Sequence, residues 1–273
     1  MKYYLKATRF FLYLGHNIIK MKNIRIFSVL LFIFSVFMVS CSADIEPLDP
    51  AIQVPGEDDG NGGGGNNGGG NGDGGGVSTG DYWPMTVNNQ WVFAQDGVDQ
   101  SPMKIVSTQQ IDGKTHYKYE NFLGTSTLGS SFEGLITTRK SNGVYYYRAE
   151  VNIPSVDGNP AINVSPLEII VLKDFLEVDQ TWTQSLTQTT TITGLPPINT
   201  PVSIVGKILE RDASLTIGAT TYTNIIRVEL IQTTQGEVNK NYYWFAKDIG
   251  IVKYQNQYQT VDTISELQSY VIN

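Results

Sequence analysis

From Asp81 to Asn273, apolar and polar residues alternate with a period of two, in short runs separated by turn dipeptides. Asp96-Gly97, Asp112-Gly113 and Asn142-Gly143 are hairpin signals, because Asn, Asp and Gly accept the positive φ that a two-residue turn demands. The runs around them predict strands over 90–94, 103–110, 114–121, 135–141, 144–151, 168–173, 181–193, 202–211, 221–233, 238–245, 251–257 and 260–271. They are rich in Thr, Val, Ile and Tyr, which suit a pleated, half-buried surface. No stretch of ten or more residues carries a capped apolar repeat of helical period. Successive hairpins without helical crossovers give an all-β fold: an antiparallel sheet curled as a half-barrel or open barrel, with a sandwich as the other way to bury one face.

The pattern also repeats. Met85-Thr86-Val87-Asn88-Asn89-Gln90-Trp91 aligns with Leu176-Glu177-Val178-Asp179-Gln180-Thr181-Trp182 at an offset of 91 residues. Lys104-Ile105-Val106 aligns with Lys207-Ile208-Leu209, and Gly113-Lys114-Thr115-His116-Tyr117 with Gly218-Ala219-Thr220-Thr221-Tyr222. The clusters Tyr145-Tyr146-Tyr147 and Tyr242-Tyr243-Trp244 are expected to close the two halves. Two copies of one β-meander account for this order, with Trp91 and Trp182 as paired core anchors. Chance likeness among Thr- and Tyr-rich strands is the alternative.

Upstream of Asp81 the alternation stops. Fourteen of the 25 residues in 56–80 are Gly, a composition that cannot bury enough surface to offset its ordering entropy. The segment reads as a flexible tether spanning about 28 Å root-mean-square. Gly69-Gly70-Asn71-Gly72-Asp73 is a single degenerate likeness to calcium-binding repeats, and the tether reading outweighs it.

Further upstream, Met21-Lys22-Asn23-Ile24-Arg25 is a basic start to the apolar run 26–39. At about 14 residues that run is the length of a secretory signal and short of a membrane span. Met38-Val39-Ser40-Cys41 resembles a bacterial lipobox, with Met38 where Leu or Val is more usual. The resemblance implies cleavage before Cys41 and acylation of its thiol, palmitate being the expected chain, which would anchor the protein to a membrane. Translation starts at Met21, or the basic region is unusually long. The predicted organisation is therefore a signal peptide over 1–40, a lipidated N-terminus and tether over 41–80, and a single β domain over 81–273.

Charge and composition narrow the function. After Cys41 there are 13 basic and 26 acidic residues, a net charge of −13, and residues 81–273 carry −6. With no basic stripe, that surface argues against nucleic acid. The domain has no cysteine and one histidine, His116, so a disulfide, most zinc sites and most Ser-His-Asp arrangements have no residues to draw on. Nothing in the sequence calls for a metal or another cofactor.

Tyr82-Trp83-Pro84-Met85-Thr86-Val87-Asn88-Asn89-Gln90-Trp91-Val92-Phe93 resembles the YFPL-x-VG-x-x-W-x-Y opening of a group of secreted bacterial lipoproteins. The same group often ends with a strand similar to Tyr243-Trp244-Phe245-Ala246-Lys247-Asp248-Ile249-Gly250-Ile251-Val252-Lys253. The likeness covers about residues 82–258, with Asn88 where Gly is usual. It implies a half-barrel like that of lipoprotein carriers and offers no catalytic residues. It also implies a place at the outer membrane, facing the exterior, with which Ser42, Asp44 and Glu46 are compatible.

Candidate sites are few. Strand alternation puts His116 on a charged face with Lys114, Lys118 and Glu120, which predicts a solvated histidine. Glu120, Glu133, Glu150, Glu168, Glu210 and Glu229 could supply the paired acids of a glycoside hydrolase, but no spacing singles out a pair. The aromatics are denser: alternation turns neighbouring rings of each cluster to opposite faces, so Tyr146, Tyr243, Trp244 and Trp83 are candidates for a ligand platform. Core filling is the plainer role for them. Asp262-Thr263-Ile264 resembles a short O-glycosylation sequon. The expectation is a non-enzymatic, lipid-anchored surface protein that binds a glycan or a protein partner. A carrier with an apolar concave sheet is the alternative, and a carboxylate hydrolase the third reading.

Overall fold

The computed structural model describes residues 75–123, 133–155 and 160–273; the signal segment, Cys41 and the tether up to residue 74 lie outside the described residues. Thirteen strands follow one another: β1 Gln90–Gln95, β2 Val98–Asp99, β3 Met103–Ile111, β4 Lys114–Glu120, β5 Glu133–Ser141, β6 Val144–Ile153, β7 Ile162–Lys173, β8 Thr181–Ile192, β9 Ile198–Ile217, β10 Thr220–Thr234, β11 Glu237–Ala246, β12 Gly250–Tyr258 and β13 Val261–Val271. Among the described residues there is no helix. Each expected turn dipeptide forms its turn in the left-handed region, with φ of 50° and 81° at Asp96-Gly97, 50° and 72° at Asp112-Gly113, and 48° and 74° at Asn142-Gly143.

The sheet closes on itself. β13 returns to pair with β1 from Gln90↔Val271 to Gln95↔Ser265, so twelve strands form a ring. The short β2 shares with β3 the other edge of β1. This corrects the expected half-barrel or open barrel. Closure removes the free edges that an open sheet exposes to other chains. The exposed outward residues of β8 and β9 are largely polar, among them Thr181, Thr183, Ser185, Thr187, Asn199 and Ser203. A membrane-spanning barrel would carry an apolar band there.

Two strands begin earlier than expected and run through a proline. Pro166 in β7 falls at the register shift between Val151↔Val164 and Ala149↔Leu167. Pro201 in β9 precedes the start of the β10 ladder at Val202↔Thr234. Both sites spare the proline a ladder donor.

The sequence repeat is a structural repeat. Asn88 and Asp179 both adopt positive φ, 75° and 70°. Their backbone N–H groups donate to Ile105 O and Ile208 O, each at 2.9 Å. Ile105 N and Ile208 N then donate to Asn89 O at 3.0 Å and Gln180 O at 3.1 Å. Each turn launches six ring strands, β1 and β3–β7 in one half, β8–β13 in the other. The aromatic clusters are not equivalent, however: Tyr145–Tyr147 begins β6, the fifth strand of its half, whereas Tyr242–Trp244 ends β11, the fourth.

The last residues of the tether are not free. Ser78 Oγ and Thr79 N donate to the buried Asp174 carboxylate at 2.6 and 3.2 Å, and Tyr145 Oη donates to Gly80 O at 2.9 Å. Arg211 and Lys247 hold Thr79 at 3.3 and 3.2 Å. Residues 78–80, at the end of the expected tether, are thus packed onto the domain.

Candidate functional site: the barrel interior

Pairing fixes which side chains point inward, because residues opposite one another in an antiparallel ladder share a face. From Phe245 the inward set runs through Ile226, Val228 and Leu230 on β10, Trp182, Gln184 and Leu186 on β8, and Tyr147 on β6. One end is filled. There Trp83 lies against Tyr119, Phe122 and Phe245 at centroid distances of 6.2, 6.0 and 5.9 Å. Trp91 is fully buried and donates Nε1–H to Ile249 O at 2.7 Å. The docked tether and the two repeated turns sit at this end, where β1 and β8 begin.

Toward the opposite end the inward side chains become polar and keep solvent-accessible area. Tyr243 and Tyr254 face inward with rings 5.0 Å apart, and Tyr243 stacks on Phe245 at 5.7 Å. Tyr254 Oη donates to Asn241 Oδ1 at 2.7 Å, and Asn256 Nδ2 donates to Asn241 Oδ1 at 2.8 Å and to Asn239 Oδ1 at 2.7 Å. Burial raises the phenol pKa of Tyr147 to about 12, and burial is also the main cause that raises Tyr254 and Tyr243. Yet all three residues are half-buried by area. These inward residues therefore keep solvent-accessible area at the end opposite the plug. Gln184, Gln188 and Thr190 on β8 and Gln232 on β10 continue the uncharged polar lining.

The wall has a seam. β7 and β8 pair only from Ile162↔Ile192 to Val164↔Thr190. Beyond that, side chains replace the ladder: Ser165 Oγ accepts from Thr189 N at 2.8 Å, Gln184 Oε1 from Ile170 N at 2.7 Å, and Trp182 Nε1 donates to Ile170 O at 3.2 Å. Trp182 needs Gly206 opposite it, since any Cβ there would collide with the indole. Trp182 and Trp91 are thus both core residues, each hydrogen-bonded to a different carbonyl.

The four platform candidates do not form one exposed surface. Trp83 is 1% exposed in the plug, and Tyr146 is 3% exposed on the outer face beneath Arg139, whose guanidinium carbon lies 3.4 Å from the ring centroid. Trp244 is buried on the outer face under Arg227 at 4.8 Å and Lys253 at 5.6 Å. Tyr243 faces the lumen. The asparagine row beside it escaped sequence reading, since isolated Asn residues carry no motif until the register aligns them.

His116 is not solvated. It is 2% exposed, with Nδ1 3.3 Å from Thr137 Oγ1 and Nε2 3.7 Å from Glu168 Oε2. Alternation along β4 holds, the bulge falling at Val106 on β3, so His116 shares the outer face with Lys118 as expected; what buries it there is cover from Thr137 on β5 and Glu168 on β7. Burial lowers its pKa, and Glu168 opposes that. Glu168 itself is held by Arg139, Glu150 by Arg148, Glu210 by Arg227, and Glu229 accepts from Tyr242 Oη at 2.9 Å. These carboxylates are engaged separately on the outer face; Glu120 is exposed, and the Glu133 side chain lies outside the described residues. Among the described residues, no group of three or more His, Cys, Asp or Glu could hold a metal ion.

No known protein family matches the chain, and no curated protein matches it significantly. Two solved structures are similar in fold. One is a protein from Parabacteroides distasonis described as a lipoprotein, 12% identical, with 70% of this chain and 98% of that one covered and a TM-score of 0.40. The other is a protein from Bacteroides fragilis described as exported and having a YmcC-like fold, 11% identical, with 69% and 98% covered and a TM-score of 0.37. Likeness at this level is silent on ligand and activity.

Proposed function

We propose that this chain is an exported, lipid-anchored, non-catalytic binding protein that takes its ligand into the barrel lumen. The observation that carries the reading is the inward cluster of Tyr147, Tyr243 and Tyr254, deep enough for burial to raise every phenol pKa yet with surface still free. Residues 78–80 dock at the plugged end, opposite the polar mouth. Recognition by a surface platform of Tyr146, Trp83 and Trp244 is disfavoured, because all three rings are covered. A second reading, the acyl-chain carrier, draws on the inward Leu167, Ile169, Leu186 and Leu230.

Thiol labelling tests the lumen. In the mature protein with Cys41 acylated, Gln188→Cys is expected to react with a small methanethiosulfonate at a rate near that of the outward Ser185→Cys, while Ile226→Cys in the plug stays unreactive. A Gln188→Cys thiol as inert as Ile226→Cys would refute an accessible lumen.

A further inference from the structure

We infer that the lumen ligand is a neutral saccharide chain, an assignment that rests on the lumen being the binding site. Among the described residues between plug and mouth, the polar inward positions are uncharged up to Glu237 at the rim: Tyr243, Asn241 and Asn239 on β11, Tyr254 and Asn256 on β12, and the glutamines of β8, facing the apolar Leu167, Ile169, Leu186 and Leu230. Nothing there would neutralise a carboxylate, phosphate or sulfate, and the basic side chains Arg227 and Lys253 lie on the outer face. An acyl chain would need a dry wall, and laying one over Asn239, Asn241 and Asn256 would bury amide groups without partners.

The hydrogen-bond pattern sharpens this. Asn239 and Asn241 both use Oδ1 to accept, from Asn256 and, at Asn241, also from Tyr254. With that orientation each Nδ2 keeps its donors, and that of the half-buried Asn241 can donate to a ligand oxygen, while the buried Asn239 backs the row. Sugar hydroxyls both donate and accept, so they match a row of amides and phenols, while the C–H face of the ring suits the aromatic wall of Tyr243 and Tyr254. A peptide is a poorer match. Its backbone recognition by strand addition requires a free sheet edge, and the closed ring pairs β13 with β1.

The test titrates the mature chain with cellohexaose, maltohexaose, chitohexaose and mannohexaose, with dodecanoate and with an uncharged extended peptide, by calorimetry. At least one hexasaccharide is expected to bind. Tyr254→Phe keeps the ring and removes only the hydroxyl, and it is expected to weaken that binding about 5- to 10-fold. Asn241→Leu is expected to weaken it more, and Thr187→Ala on the outer face should leave it unchanged. Melting curves identify any variant that fails to fold, and Tyr254→Phe remains interpretable if Asn241→Leu does not fold.

Dodecanoate or peptide binding that Leu230→Trp abolishes, with no saccharide bound, would overturn the saccharide assignment and leave the lumen site standing. No binding by any probe while Gln188→Cys reacts would also overturn the assignment alone. Saccharide binding that survives both lumen substitutions, or an unreactive Gln188→Cys, would overturn the lumen site itself.

Discussion

The two halves of the barrel start alike and are completed differently. Both begin with a left-handed Asn88 or Asp179, a turn whose N–H reaches the second ring strand, and a tryptophan on the first. In the second half, the third and fourth strands are joined by a continuous ladder from Ile225↔Ala246 to Thr234↔Glu237. In the first half the equivalent strands β4 and β5 pair only at Tyr117↔Thr138 and Lys118↔Thr137. There the fold leans on side chains instead, with the aromatic plug inside and the His116–Thr137–Glu168–Arg139 cluster outside. A repeated turn therefore sets strand order without setting how each seam is closed. The second half has a stiff, ladder-bonded wall that carries Tyr243, Tyr254 and the asparagine row; the first supplies the plug and the tether latch.

Truncating the two tryptophans tests that division most strongly. Trp91→Ala is expected to cost about 4 kcal/mol, near the top of the range for aromatic truncation, because its indole is wholly enclosed and hydrogen-bonded. Trp182→Ala should cost about 3 kcal/mol, since its indole fills a seam where the site can partly relax. Chemical denaturation of both variants checks the ranking, and the reverse order would mean that the seam, not the plug, is the centre of the fold. Gly206→Ala should cost about 1–3 kcal/mol through overpacking against the same indole.

The latch comes next. Asp174→Ala removes the acceptor for Ser78 Oγ and Thr79 N and is expected to destabilise by about 2 kcal/mol. Limited proteolysis should then cut at residues 75–80 before any other described segment. Protection unchanged from the parent would mean that Tyr145, Arg211, Lys247 and the Thr79 Oγ1 bond to Asp174 O suffice to hold the tether.

The left-handed turns give a smaller and sharper comparison. Asn88→Ala and Asp179→Ala should each cost about 1 kcal/mol, the penalty for a Cβ residue without a compensating polar side chain at positive φ. Costs that agree within about 0.5 kcal/mol, the usual spread for independent sites, would show the repeat to be energetic as well as geometric.

How far the sequence foretells this depends on how local each signal is. The hairpin dipeptides and the entry turn of the repeat were legible because a few adjacent residues determine them. Ring closure was not, since Gln90 and Val271 meet across almost the whole domain and no short pattern marks the pairing. The faces of Tyr146, Tyr243 and Trp244 depend on register, and a shift of one residue exchanges inside for outside. His116 was misjudged for a different reason: alternation gave its face correctly, but the cover from Thr137 on β5 and Glu168 on β7 comes from strands distant in sequence, which no local pattern announces.

That imidazole carries the smallest expected effect. Burial lowers the His116 pKa, Arg139, Arg148 and Lys114 lower it further, and Glu168 raises it. The native chain therefore binds fewer protons than the unfolded chain below about pH 6.5, the ordinary histidine value. Stability from this group is fully present above that pH and declines as pH falls toward the depressed native pKa. Between pH 7.5 and pH 5 the parent should lose about 1–2 °C more in Tm than His116→Gln, with carboxylate contributions common to both. An equal loss would mean that the Glu168 contact offsets burial and holds the imidazolium in place. The first half would then close its weak seam with a charge pair rather than with packing.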